Sequence, residues 1–130
     1  MSTLTQNVLD EFISKLKKKY KNILQDFNLE CTNDEHGMYI TLILIKIKKS
    51  QIGKGYGSAV MYELSAFADL HNVRIRLYLT NLYGTDLKAL YAFYGKHGFV
   101  LIKNTPQPII GESYGKKEMI YYPVKNHNKL

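Results

Sequence analysis

Three glycines at alternate positions, Gly53, Gly55 and Gly57, lie between two apolar segments of different period. The segment before them, Met38 to Ile47, is a continuous run rich in β-branched residues and too short to cross a membrane, which predicts a buried strand. The segment after them, Ser58 to His71, repeats Val60, Leu64, Phe67 and Leu70 at helical spacing. A glycine-rich turn from strand to helix leaves the first backbone N–H groups of the helix without partners, and these groups favour an anion. Glycine admits the positive φ angles of such a turn and lets a phosphate approach the backbone. The chemistry to which this spacing points is therefore the binding of a phosphate-bearing ligand. The bland alternative, in which the glycines only let the chain reverse, has equal standing on spacing alone.

Two familiar phosphate loops do not fit. The Walker pattern requires Gly-Lys-Ser/Thr, whereas Gly53-Lys54 is followed by Gly55 and an earlier glycine is missing. The dinucleotide fingerprint spaces its third glycine one residue further on and needs an acid at the end of the next strand, which is also missing.

The elements that must hold this loop follow from the rest of the chain. At 130 residues the sequence predicts one domain, residues 1–130, with a modest core. The single cysteine, Cys31, excludes a disulfide framework and suits a reducing, cytoplasmic compartment. No segment approaches membrane-spanning length, and the first residues lack a signal-peptide layout. A net charge of +7 and a pI near 9.4 favour acidic partners: a polyphosphate cofactor, nucleic acid or an acidic protein. Four histidines and one cysteine fall at no metal-ligand spacing, so no metal is expected.

Thr5 to Asp26 reads as an amphipathic helix with Val8, Phe12, Leu16, Ile23 and Phe27 along its apolar stripe. Its lysines, Lys15, Lys17, Lys18, Lys19 and Lys21, are either a surface for an acidic partner or, more simply, a solvated face. Phe27 to Thr32 reads as a short strand, and Asn33 to Gly37 as a polar turn into Met38 to Ile47. Val73 to Thr80 alternates as a strand, which makes a parallel strand–helix–strand unit with a right-handed crossover. Leu87 to Lys96 reads as a helix facing inward through Leu87, Leu90, Tyr91 and Tyr94, with Thr85 or Asp86 able to cap it. Gly98 ends that helix, Phe99 to Ile102 begins a strand, Asn104 to Lys117 is a loop, and Glu118 to Tyr122 closes as a strand.

The loop and the second half together resemble the GNAT superfamily, the GCN5-related N-acetyltransferases. Gly55 and Gly57 match the two glycines of its Arg/Gln-x-x-Gly-x-Gly/Ala signature, and Gly53 falls where many members carry a further glycine. The Arg/Gln position falls on Ile52, with Gln51 one residue earlier. Tyr94-Gly95-Lys96-His97-Gly98-Phe99 resembles the Tyr-x-x-x-Gly-Phe ending of the family's fourth helix, and Phe93-Tyr94 fits its usual pair. The asparagine often found seven residues before that tyrosine is Leu87 here, and Asn81 in the preceding loop is the available replacement. The resemblance covers about two-thirds of the chain, Met38 to Tyr122, and leaves room for a single strand before the central one.

It implies an α/β (α+β) fold: a mixed, mostly antiparallel sheet with a central splayed parallel strand pair and flanking helices. It also implies acetyl transfer from acetyl-CoA to an amine. The pyrophosphate would lie on the loop, Ile52, Gly53, Lys54, Gly55, Tyr56, Gly57 and Ser58. The pantetheine arm would lie against Ile45, Lys46 and Ile47, with Asn81 as a further contact. Lys48, Lys49 and Lys54 add charge near the phosphates. Tyr94 would give the departing thiolate a proton or hydrogen bond, and backbone N–H groups would polarise the carbonyl. Glu30, His36 and Glu112 are the candidate bases, and Tyr114 and Tyr121 are candidates for the acceptor pocket. The acceptor is an amine, with an acidic protein and aminoacyl-tRNA among the options; monomer and homodimer both remain open. Two other readings stand beside this one. A degenerate GNAT domain would bind CoA or a macromolecular partner without catalysis. A basic nucleic-acid-binding module would rest on charge and tyrosines alone.

Overall fold

Thr5 starts the first helix, since its side-chain oxygen accepts from the Val8 amide at 3.2 Å and so caps α1 (Gln6–Lys19). The computed structural model describes residues 4–35, 37–79, 87–102 and 117–124. Helix α1 is followed by β1 (Leu24–Asp34), β2 (Gly37–Ile47), a short 3₁₀ turn (Lys49–Gln51) and α2 (Tyr56–His71). Then come β3 (Arg74–Leu79), α3 (Leu87–Lys96), β4 (Val100–Leu101) and β5 (Lys117–Tyr121). The five strands form one sheet in the order β1-β2-β3-β5-β4. Among the described strands only β2 and β3 are parallel; the other neighbours run antiparallel, so the mixed sheet has the expected arrangement, with one strand before the central one.

Helix α1 is shorter than its sequence suggests. It closes at Tyr20, whose amide returns to Leu16, and the chain is already a strand at Leu24 rather than still helical at Asp26. Three lysines fill its last turn, where cations complement the helix dipole. The buried stripe is Leu9, Ile13 and Leu16, one residue round from the expected Val8 and Phe12, which are only partly buried. Phe12 instead stacks on Phe67 of α2 at 4.1 Å between ring centroids. Phe27, fully buried, belongs to the strand.

Along β2 the side chains change parity. Leu29 of β1 faces Leu42, but its neighbour Asn28 faces Leu44, so Ile43 is an extra, unpaired residue, and it is 49% exposed. Such a bulge bends and twists its strand. Because the side-chain period is two, the bulge puts Ile45 and Ile47 on the same face as Ile40 and Leu42. A run that reads as uniformly apolar thus keeps Ile40, Leu42, Ile45 and Ile47 on the core side and sends Lys46 outward. The bulge also sits where β2 leaves β3. Their parallel pairing is confined to Tyr39–Arg74, Ile40–Ile75 and Thr41–Arg76, and beyond these the described strands diverge. This is the splayed pair.

The inner face of the sheet, including Leu29, Ile40, Ile75, Leu77, Met119 and Tyr121, joins residues of all three helices in one buried cluster. From α2 come Val60, Met61, Leu64 and Ala68; Leu70, expected on that face, is 75% exposed in the last turn before Asn72 ends the helix. The outer face carries the charges. Arg74 and Arg76 both pair with Asp34, Arg76 also pairs with Glu118, and the Tyr39 ring lies over both guanidiniums. Glu118 is only 6% exposed.

Candidate functional site

The end of β2, the glycine loop and α3 enclose a cleft of about 430 Å³. Ile45 and Ile47 form its strand side, Gln51 and Ile52 its turn, and Gly53, Gly55, Tyr56, Gly57 and Ser58 its loop and helix start. The opposite wall is Leu90, Phe93, Tyr94 and Lys96 of α3. Eight of the loop and strand positions singled out from sequence therefore line one cleft with Tyr94. Lys46 and Lys54 do not line it. Lys46 points to the outer face, opposite Asp26, and Lys54 is exposed, its ammonium 3.4 Å from Gln51 Oε1. Asn81, His36, Glu112 and Tyr114 lie outside the described residues.

The loop takes its shape from two glycines in left-handed conformation, Gly53 at φ 86° and Gly55 at φ 84°, where a side chain would be strained. Gly55 is the N-cap of α2 and supplies no capping side chain, and no acidic residue occupies the first turn. The first helical bond runs from the Ala59 amide to the Gly55 carbonyl. The amides of Tyr56, Gly57 and Ser58 thus have no intrahelical acceptor, at the positive end of the helix dipole. Gly57 has a different reason to be glycine: a Cβ there would stand 3.3 Å from the Phe93 ring across the cleft.

The far wall is set by how α3 ends. Gly98 at φ 90° reverses the chain, and the amides of Gly98 and Phe99 return to the carbonyls of Gly95 and Tyr94. Tyr94 is thereby packed against Phe93 and Phe99 and is 8% exposed. Burial pushes its phenol up to about 12, so it remains a proton donor across the ordinary pH range. Its hydroxyl makes no hydrogen bond to another described residue.

The cleft combines two kinds of lining. The α2 amides and Lys96 give it positive character, and Ile45, Ile47, Leu90, Phe93 and Tyr94 give it apolar surface, with Phe93 reaching the loop at Gly57. No carboxylate or imidazole lines it among the described residues. Glu30 is exposed, and its pairing with Thr41 puts it on the outer face. Tyr121 is buried elsewhere, donating to Asp69 at 2.7 Å, beside a second depression. Another depression, on α1 between Asp10, Glu11, Ser14, Lys15 and Lys18, is a groove of one helix surface and shares nothing with the loop. Among the described residues no group of acids, histidines and cysteine could hold a metal ion, and no helix is long and apolar enough to cross a membrane.

Four lining residues escaped the sequence reading of the site. Gln51 was visible but out of step by one residue with the Arg/Gln position, which Ile52 fills at 64% exposure. Lys96 occupies a variable position of the Tyr-x-x-x-Gly-Phe ending. Leu90 and Phe93 read only as the inward face and the usual neighbour of the tyrosine.

No protein-family model matches the sequence, and no curated protein matches it. Solved structures do resemble it. One is a "histone acetyltransferase HPA2 and related acetyltransferase" from Corynebacterium glutamicum, with a TM-score of 0.50 at 17% identity over 90% of this chain and 74% of that one. Another, from Bacteroides thetaiotaomicron and assigned to the GNAT family of acetyltransferases, gives a TM-score of 0.51 at 13% identity. That match covers 95% of this chain and 87% of the other. A splayed parallel pair, a glycine turn at the start of the crossover helix and these neighbours agree on the architecture: the chain has the GNAT acetyltransferase fold.

Proposed function

We propose that the cleft binds acetyl-CoA and that the protein transfers the acetyl group to a primary amine. The observation that carries this reading is the union, in one cleft, of an uncapped helix N-terminus, the end of β2 beyond its parallel rungs with β3, and a buried tyrosine. The amides of Tyr56, Gly57 and Ser58 take the diphosphate. The backbone of β2 from Ile45 to Ile47, which lies beyond the Tyr39–Thr41 rungs with β3, pairs with the amides of the pantetheine arm. The apolar wall of Leu90 and Phe93 keeps water from the thioester.

With acetyl-CoA bound, the chemistry is attack of the amine nitrogen on the thioester carbonyl, loss of one amine proton and cleavage of the C–S bond. Tyr94 donates its hydroxyl hydrogen bond, and then its proton, to the departing sulfur and recovers a proton from water. The amine proton passes to water. The test is CoA release by the purified protein against small amines, lysine peptides and aminoacyl-tRNA.

Binding without turnover is the second reading. It is favoured by the aliphatic Ile52 at the Arg/Gln position and by the lack of a carboxylate or imidazole among the described lining residues. Acetyl-CoA binding with no CoA release on any acceptor in that panel would establish it over the first.

The charges of the site give a graded expectation. Lys96→Gln should weaken acetyl-CoA binding about fivefold, because this cation lines the cleft. Neutralising Lys48 and Lys54, which flank the loop in sequence, should cost about two- to threefold. Neutralising Lys17, Lys18 and Lys19 on α1 should cost less than about twofold at physiological salt. Calorimetric titrations would check the order; equal losses in all three would place the phosphates elsewhere.

A further inference from the structure

Ser58 has a partner that phosphate binding alone does not require. His97 Nε2 lies 3.1 Å from Ser58 Oγ, linking the end of α3 to the first turn of α2. The imidazole is held in place edge-on by Phe93, with centroids 5.0 Å apart, and by Tyr62 at 5.5 Å. Ser58 faces the cleft, whereas His97 faces the second depression, of about 330 Å³, with Tyr62, Asp69, Lys96 and Tyr121. The pair therefore bridges the anion end of the cleft and a solvent-reached surface.

The direction of this hydrogen bond depends on the imidazole. A neutral ring with its proton on Nδ1 accepts at Nε2 and consumes the Ser58 hydroxyl proton. A protonated ring donates at Nε2, leaves the Ser58 proton free to donate to an anion, and adds a positive charge behind it.

We propose that His97 is a positioning residue for the diphosphate end of the cleft, turning the Ser58 hydroxyl toward the ligand when the imidazole is protonated. This rests on the acetyl-CoA reading and adds a proton to it. The groups facing His97 are Tyr62 and Asp69 from α2, Lys96 from α3 and Tyr121 from β5. Asp69 accepts from the Tyr121 hydroxyl and the Val124 amide and forms no ion pair with His97 among the described residues. Burial first, then the Lys96 charge, holds His97 below its ordinary value in the free protein, so the ring is neutral at pH 7. A bound diphosphate favours the charged ring and raises that value. The sign follows: affinity is lowest above the bound-state value, rises as pH falls through it, and levels off below the free-state value.

The test is calorimetry at constant ionic strength, at about pH 8 and about pH 5.5, which bracket the histidine range. The ligand is acetyl-dephospho-CoA, which keeps the diphosphate but lacks the phosphate monoester that would itself titrate near pH 6. Wild-type protein should bind about three- to tenfold more tightly at the lower pH, tenfold corresponding to one unit of pKa rise. His97→Gln and Ser58→Ala should each bind equally at both pH values, and His71→Gln should behave as wild type. S-acetylpantetheine, which has no diphosphate, should bind wild type without pH dependence.

A second measurement needs no variant. The NMR titration of the His97 ring should move upward when acetyl-dephospho-CoA saturates the protein. A wild-type response retained in folded His97→Gln, a response equal for S-acetylpantetheine, or an unmoved His97 titration would overturn the inference while leaving the acetyl-CoA reading intact. Absence of binding to wild type at both pH values would overturn both.

Discussion

Replacing Tyr94 by phenylalanine is expected to lower CoA release by roughly 10²-fold or more, the usual yield of a positioned general acid, while acetyl-CoA affinity changes by less than about threefold. The ring is the structural part of this residue. It packs against Phe93 and Phe99 in the buried cluster, and phenylalanine keeps those contacts. The hydroxyl has no described protein partner whose loss would cost stability, so the melting temperature should change little; an ordinary hydrogen bond would be worth only about 1 kcal/mol. Burial pushes its ionisation up to about 12, which leaves the phenol protonated at any pH used for assay. Turnover should therefore show no alkaline limb from Tyr94 below about pH 10. Comparison of kcat and KM separates the two roles: a fall in kcat with KM preserved marks an interaction made as the C–S bond breaks. Undiminished turnover in the folded Tyr94→Phe protein would leave the tyrosine a core aromatic.

The second large effect is expected at Gly57. Acetyl-CoA at a hundredfold excess over its Kd should stabilise the wild-type protein by about 2.7 kcal/mol, a rise on the order of 10 °C in Tm. Gly57→Val should abolish that rise. The new Cβ would meet Phe93 at 3.3 Å, and the branched methyls would fill space beside the amides that hold the ligand. Forcing two cleft walls apart also costs stability, about 1–3 kcal/mol for overpacking. The double variant Gly57→Ala with Phe93→Leu distinguishes the two effects, because it relieves the clash yet keeps a methyl in the loop. It should regain most of the stability and little of the ligand response. A full ligand-induced rise in Gly57→Val would make the loop a turn and nothing more.

What could be read from sequence was local. The glycine loop, the α2 start and the Tyr94 to Phe99 ending are each a few consecutive residues whose backbone demands are visible in their types. Helix α3 has the limits its pattern suggests, Leu87 to Lys96. The features that escaped depend on contacts between distant segments. Nothing in the run around Ile43 shows that β1 skips it, yet that bulge decides which of Ile45 and Lys46 faces the cleft. Helix α1 ends early because Leu24 and Phe27 find places in the sheet, which no helical periodicity can reveal. Composition gives charge only in bulk, whereas the fold divides it. Both arginines of the chain are committed to Asp34 and Glu118 on the outer face, which removes the side chains best suited to nucleic-acid contacts and weakens that alternative. Lys96, a single unremarked cation, lies in the cleft instead.

The most direct test of the central claim is a crystal structure of the protein soaked with CoA. The account predicts the diphosphate within hydrogen-bond distance of the Tyr56, Gly57 and Ser58 amides, the pantetheine arm along Ile45 to Ile47, and the sulfur beside the Tyr94 hydroxyl. CoA bound away from the loop, or crystals that take up none at concentrations saturating for acetyltransferases, would contradict it.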